Sequence, residues 1–213
     1  MKNIGALQAG GYGIMVFSPD KLNRFLKDRK CRAKKYISYF DKNKEVFYDL
    51  VKAGILLPFY RICRFEYEIF VAVDEPEADL PQGYDVVYHY SDFYITTGIG
   101  KLCFSCFDYL EYHKDMIDEG RADFGEEIPT GPEEVMEWYH HAIGLDMDEG
   151  IYQFNLYGLK RKEMQDRESK NYAFLFVFRK TGQPVNDNFN KCDNDRFDFD
   201  IRNYEKSNGS TTA

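Results

Sequence analysis

Phe65-Glu66-Tyr67-Glu68-Ile69-Phe70-Val71-Ala72-Val73 decides how the rest of this chain is read. Its alternate positions Phe65, Tyr67, Ile69, Val71 and Val73 are large and apolar, and their neighbours are smaller or more polar. That is the period-two pattern of a half-buried strand. Tyr172, Phe174, Phe176 and Phe178 repeat the pattern with an aromatic at every second position, and 151–159 precedes them as a strand partner across the charged connection 160–170. Working outward, 11–17, 55–65, 84–90, 93–97 and 101–107 are short apolar runs bounded by turn residues. They predict a hairpin between 55–65 and 65–73 and an extended meander through 84–107. With 17 Tyr and 18 Phe in 213 residues, the composition also favours sheet, because aromatics suit pleated, half-buried surfaces.

Helices are expected between these strands. Ser18 stands as an N-cap before Pro19, and Leu22, Phe25 and Leu26 supply an apolar stripe. From 33 to 53, Ile37, Phe40, Phe47, Leu50 and Val51 recur at helical spacing around a polar interruption at 41–44, giving one long helix or two abutting ones. Gly54 then sits where a left-handed cap belongs, with Pro58 close behind. Residues 115–127 read as a helix end and loop. Thr130-Gly131-Pro132-Glu133 reads as a capping box opening a further helix, with Val135, Met136, Tyr139, Ala142 and Ile143 on its buried face and Gly144 ending it. The expected fold is α+β, a mostly antiparallel mixed sheet with two main helical layers. It forms a single domain over 1–206, with 207–213 a disordered polar tail.

An internal repeat is suggested where Gly11-Tyr12-Gly13-Ile14-Met15-Val16-Phe17-Ser18 is laid over Gly98-Ile99-Gly100-Lys101-Leu102-Cys103-Phe104-Ser105. Two strand-helix-strand-strand units, 10–75 and 84–180, would explain the shared order of features. Chance recurrence in so aromatic a chain explains it equally simply.

A formal charge of −8 argues against general nucleic-acid binding, which rests on a concentrated basic surface. The basic run Lys27, Arg29, Lys30, Arg32, Lys34 and Lys35 reads as a solvated helix face. Five cysteines at irregular spacing, Cys31, Cys63, Cys103, Cys106 and Cys192, point to reduced thiols in a cytoplasm rather than to a disulfide framework. The apolar start 4–17 is broken by Gln8 and glycines 10, 11 and 13, against an export signal. No apolar stretch reaches the roughly 20 residues of a membrane helix.

Chemical motifs are sparse. Cys103 and Cys106 form a CxxC pair, but no second ligand pair or thioredoxin-like setting accompanies it, which favours two packed thiols. His140 and His141 have no Glu-x-x-His or His-x-x-x-His spacing, Asp146/Asp148 and Asp193/Asp195 lack the rest of a calcium loop, and the glycines match no phosphate-binding fingerprint. Those glycines read instead as bends or a bulge. No catalytic residue, metal ligand or cofactor is therefore assigned, although an active site assembled from scattered residues stays open as an alternative. The distinctive surface signal is acidic: Glu75, Glu77 and Asp79, then Asp115, Asp118, Glu119, Asp123, Glu126 and Glu127. Such a face can serve solubility, or it can meet a basic protein partner.

Phe93-Tyr94-Ile95-Thr96-Thr97-Gly98-Ile99-Gly100-Lys101-Leu102-Cys103 and Gly150-Ile151-Tyr152-Gln153-Phe154-Asn155-Leu156-Tyr157 resemble strands of the small acidic bacterial proteins that neutralise polymorphic toxins. The resemblance covers about half the chain, in pattern only, and carries over no functional residue. It implies a non-catalytic cytoplasmic immunity or inhibitor protein that binds a basic toxin or effector, covering about 800 Å² on each side. The alternative rests on the repeat, which resembles the gyrase-inhibitor-like (GyrI-like) small-molecule sensors. That resemblance implies an amphipathic ligand in a cleft between the units, with Glu137, Trp138 and Tyr139 as candidate lining.

Overall fold

The computed structural model describes residues 1–75, 79–130, 135–183, 188 and 197–208. In chain order the elements are β1 (Lys2–Gln8), a 3-10 turn (Gly10–Tyr12), β2 (Gly13–Phe17), α1 (Pro19–Asp28), α2 (Tyr36–Lys42), α3 (Lys44–Lys52), β3 (Leu56–Tyr60), β4 (Glu66–Val73), β5 (Tyr84–Thr97) and β6 (Lys101–Cys106). They continue with α4 (Phe107–Tyr112), α5 (Lys114–Asp118), β7 (Phe124–Thr130), β8 (Val135–Asp146), β9 (Gly150–Arg161), a 3-10 turn (Glu168–Lys170), β10 (Tyr172–Thr181) and α6 (Ile201–Asn208). No helix among the described residues is long and apolar enough to cross a membrane.

The strands form one mixed sheet in the order β3-β2-β6-β8-β1-β4-β10-β9-β5, with β7 attached to β8. Only β1 with β8 and β4 with β10 run parallel. The sheet curls until its two ends meet: the Thr96 N–H donates to the Gly54 carbonyl at 2.7 Å, and the Tyr94 hydroxyl donates to the Lys52 carbonyl. The result is a nearly closed barrel in an α+β fold.

Alternation along each strand sorts side chains to the two sides of this wall. Inside lie Leu7, Val16, Phe59, Ile69, Phe93, Phe104, Phe154, Phe174, Phe176 and Phe178, with Phe199 and Ile201 packed against them. On the outer surface Met15, Phe17, Leu56, Cys103 and Ala142 are covered by Leu22, Leu26, Phe40, Leu50, Tyr109 and Ile117 of the helices α1–α5, in a single cluster. The helical span 33–53 is two helices. They break at Asn43, whose backbone leaves helical geometry (φ −129°, ψ 66°) while its side-chain amide donates to the Tyr39 carbonyl at 2.8 Å. Ser18 holds the N-cap position of α1, but its hydroxyl oxygen accepts from the Gly98 N–H at 2.9 Å and so ties the helix start to the β5–β6 connection.

Several expectations are corrected. The helix expected from Thr130 to Gly144 is a strand: β8 pairs with β6 from Ala142 to Asp146 and with β7 from Val135 to Ala142. The apolar positions that suit a helical stripe equally suit a strand buried on both sides, and non-local pairing decides between the two. Gly131, Pro132 and Glu133 of the expected capping box lie outside the described residues. Strands β3 and β4 do not form a hairpin, since β3 pairs with β2 and β4 lies between β1 and β10. Nor do β5 and β6 form a meander, because β5 pairs with β9 and β6 lies between β2 and β8. The basic run begins at the end of α1 and continues into the connection before α2, off the helix. Strand β1 belongs to a segment that carried no strand signal. The two sequences overlaid as repeats, β2 and β6, run antiparallel side by side, with Ile14 opposite Cys106 and Phe17 opposite Cys103. Their continuations differ: α1–α3 lead from β2 to β3 and β4, whereas α4 and α5 lead from β6 to β7 and β8. The antiparallel pair β9–β10, aligned from Ile151↔Thr181 to Lys160↔Tyr172, is as expected.

Candidate binding surface on a two-stranded arm

β7 is the one strand off the main path, and it pairs with β8 alone. The inner half of β8 is held by β6 from Ala142 to Asp146 and touches β1 at Leu7↔His140. The outer half is a two-stranded ribbon in which Glu127 faces Trp138, Ile128 faces Glu137, Pro129 faces Met136 and Thr130 faces Val135. Residues opposite one another share a face, so Glu127, Pro129, Met136 and Trp138 form one face and Glu126, Ile128, Glu137 and Tyr139 the other. Trp138, Met136 and Val135 are 55%, 53% and 55% exposed. Three large apolar side chains this open within four residues form the densest such group on the described surface. Trp138 lies across Gly125, where an added Cβ would stand 2.6 Å from the indole nitrogen, so a bare backbone at 125 lets the ring lie flat along the ribbon.

The base of the arm is held by polar contacts. The Glu137 carboxylate accepts from Arg167 at 2.7 Å and from the Tyr139 hydroxyl at 3.1 Å, and Arg167 also donates to the Tyr139 oxygen at 2.7 Å. Hydrogen bonding to Arg167 holds the Glu137 carboxyl below its usual range. Glu137 and Tyr139 thus serve a clamp on one face while Trp138 points to the other. The three residues named as candidate lining of a ligand cleft therefore divide between the two faces of the ribbon. Asp123 accepts from Lys101 at 2.6 Å and from the Gly144 N–H at 2.8 Å; burial alone would raise its carboxyl, but these bonds hold it below the ordinary value.

Beneath β7 a chain of side chains runs inward. His141 Nε2 lies 2.8 Å from Glu126 Oε1, and His141 Nδ1 lies 3.7 Å from Cys106 Sγ. Thiol, imidazole and carboxylate stand in the order of a nucleophile, its base and an orienting acid. Cys106 is nevertheless fully buried, and burial pushes its thiol up to about 11 despite backbone N–H groups of Tyr109, Asp108 and Gly10 that act the other way. Enclosure and a raised thiol suit a hydrogen-bonding strut and work against nucleophilic attack. Cys103, also fully buried, places its sulfur 3.6 Å from the Ala122 carbonyl, with its thiol raised by burial. Among the described residues no three His, Cys, Asp or Glu side chains are grouped to hold a metal ion. Cys192, Asp193 and Asp195 lie outside the described residues.

The acids singled out from sequence are less free than their number suggests. Glu75 pairs with the Met1 amino group at 2.5 Å, Glu119 with Arg121 at 2.9 Å, and Asp118 with Lys114 while accepting from the Tyr36 hydroxyl at 2.8 Å. Asp79 and Asp115 are exposed, and Glu77 lies outside the described residues. A wide groove of about 760 Å³ runs past Asp118 and Glu119, but its acids alternate with Arg24, Lys27 and Lys114 and present no net sign of charge. On the arm, Glu127 is exposed on the face of Met136 and Trp138, and Glu126, also exposed, lies on the other face bonded to His141. Sequence reasoning missed Val135 and Met136 as surface residues because it assigned them to a buried helical face. The signal available was the alternation Met136, Trp138, His140.

Two histidines below the arm predict a pH response. Burial lowers His113, which packs 4.3 Å from the Phe124 ring and is lowered further by His141; burial also lowers His140, against the pull of Asp123 and Glu66. The unfolded chain takes up protons at about pH 6.5 while these folded imidazoles remain neutral, so stability declines as pH falls below that value. The melting temperature is expected to drop between pH 7 and pH 5, by about 2–4 °C for each kcal/mol of linkage. A His113→Asn, His140→Asn double variant, melted over the same range, should show a shallower slope. An equal slope would assign the acid sensitivity elsewhere.

Compared with known proteins, the chain matches no family model, no curated protein and no solved structure. Its function is therefore argued from its own geometry.

Proposed function

We propose that this protein acts by binding another protein through the β7–β8 arm, as a stoichiometric inhibitor of immunity type whose target is basic and cytoplasmic. The observation that carries the reading is the exposed apolar end of the ribbon: Met136 and Trp138 lie on one face beside Glu127, and Val135 and Glu126 lie on the opposite face. Tryptophan leads the residues that dominate binding energy when a partner covers them, and acids at the rim speed encounter with a cationic surface. The formal charge of −8 works in the same direction at long range. The clamp of Arg167 on Glu137 and Tyr139 supports the role by holding the arm in one conformation before contact, which lowers the ordering cost of association. In this reading Glu75, Asp118, Glu119 and Asp123, already paired, serve solubility.

The double reversal Glu126→Lys, Glu127→Lys is expected to slow association with the basic partner about 10-fold or more at low salt, with the difference shrinking as salt rises. Surface plasmon resonance across a salt series reads both. Association rates equal to those of the wild type at every salt concentration would rule out the arm as the charged contact.

A further inference from the structure

A cavity of about 210 Å³ opens between the α2–α3 pair and the outer face of the barrel, on elements separate from the arm. Met15 of β2, Pro58 of β3, Phe40 of α2, Phe47 of α3 and Phe107 of α4 wall it. Phe40 and Phe47 approach with ring centroids 5.9 Å apart, and Tyr60 and Phe107 with centroids 6.3 Å apart. Its polar lining is the exposed Lys44 ammonium, 3.3 Å from the Asp41 carboxylate, together with the half-buried Tyr60.

The glycine-rich turn before β2 shapes one wall. An added Cβ at Gly13 would stand 2.6 Å from Phe107 Cε1, and one at Gly11 would stand 2.7 Å from Phe107 Cβ, so side chains there would push the ring off its seat. Gly11 and Gly13, which match no phosphate-binding fingerprint, have this as their physical account, while Gly10 lies against Asp108.

We infer that this cavity is a binding site for a small neutral aromatic molecule, of one or two fused rings, bearing a polar substituent. Over most of its wall water would meet apolar carbon and one thioether sulfur, with Tyr60, Asp41 and Lys44 as the polar exceptions, so water there is poorly partnered and displacing it is favourable. An apolar cavity of about 150 Å³ holds benzene, and the volume here admits a slightly larger ring system. Aromatic walls accept a ring edge-on or offset, the Met15 sulfur adds a polarisable contact, and the Asp41–Lys44 pair at the mouth can accept from or donate to the substituent. The site is independent of the arm, so either proposal can fail without the other.

Indole is the probe, titrated into the full chain with thermal melting and methyl NMR at Met15 and Ile37 as readouts. The expected result is a saturable chemical-shift change with a dissociation constant below about 1 mM and a rise in melting temperature that tracks occupancy. Ile37 is partly exposed and lines the cavity. Ile37→Trp, which fills the space from within, should melt no lower than the wild type and weaken indole at least 10-fold. Should that variant fail to fold, Phe107→Leu must weaken indole at least 5-fold. Shifts that stay linear in indole concentration, or that are unchanged in the folded filling variant, would overturn the inference.

Discussion

Replacing Phe59 with alanine is expected to lower the free energy of unfolding by about 3–5 kcal/mol, among the largest effects open to a single substitution in the barrel. Phe59 is 1% exposed and makes edge-on contacts with Phe93, Phe154, Phe176 and Phe199 at centroid distances of 5.2–6.4 Å. Its place matters as much as its size. Phe59 lies on β3 and Phe93 on β5, the two ends of the sheet path, so their contact spans the seam where the barrel closes. Truncation leaves a void bounded by Phe93, Phe154 and Phe176, which sit on paired strands and cannot collapse into it without disturbing that pairing, and by Phe199 of the segment before α6. Chemical denaturation of Phe59→Ala tests this. As a comparison, Tyr48→Ala, at an exposed position on α3, should cost under about 1 kcal/mol. Equal costs at the two positions would mean that the interior aromatic cluster does not hold the barrel closed.

Under the proposed binding role, Trp138→Ala is expected to weaken binding to a basic protein partner by about 2–4 kcal/mol, roughly 30- to 1000-fold in Kd, and to leave the melting temperature nearly unchanged. The two effects separate for a physical reason. A side chain that is 55% exposed contributes little to folding, whereas an anchor buried on association loses its whole contact when truncated. The loss should appear mainly as faster dissociation, while charge reversal at Glu126 and Glu127 should act on association. Titration calorimetry for affinity, beside calorimetric melting for stability, distinguishes them. A folded Trp138→Ala variant with unchanged affinity would remove the tryptophan from the interface.

Local pattern is what the sequence makes legible. The alternation in 65–73 and in 172–178 identifies β4 and β10 because both strands are flanked on each side in the sheet and pair with each other in unbroken register, the β1–β4 pairing shifting once between Asn3 and Gly5. Proline and glycine place the limits of α1 and α3, and Gly54 takes the left-handed φ of +62° expected of a cap. Which strands meet is not legible in the same way. A short connection between β3 and β4 suggests a hairpin, but a positive φ at Arg61 and the run through Phe65 carry the chain to a different part of the sheet. The apolar residues of β8 satisfy both periods because the strand buries one side inside the barrel, at Ile143 and Leu145, and the other beneath the helices, at Ala142. The candidate site divides along the same line. Acidic residues are visible in any sequence, but their pairing with Met1, Lys101, Lys114 and Arg121 is a product of the fold. Trp138 stands out for its chemistry and is misplaced by its expected secondary structure, and the exposed Met136 and Val135 beside it are hidden for the same reason.

The most direct test of binding through the arm is parallel affinity capture from the cells that naturally make the protein, with wild type and a Trp138→Ala, Glu126→Lys, Glu127→Lys variant as baits at low and moderate salt, read by mass spectrometry. The predicted result is one basic protein held in near-stoichiometric amount by the wild type, released as salt rises and absent from the equally folded variant. The contradicting result is the same protein captured in the same amount by both baits.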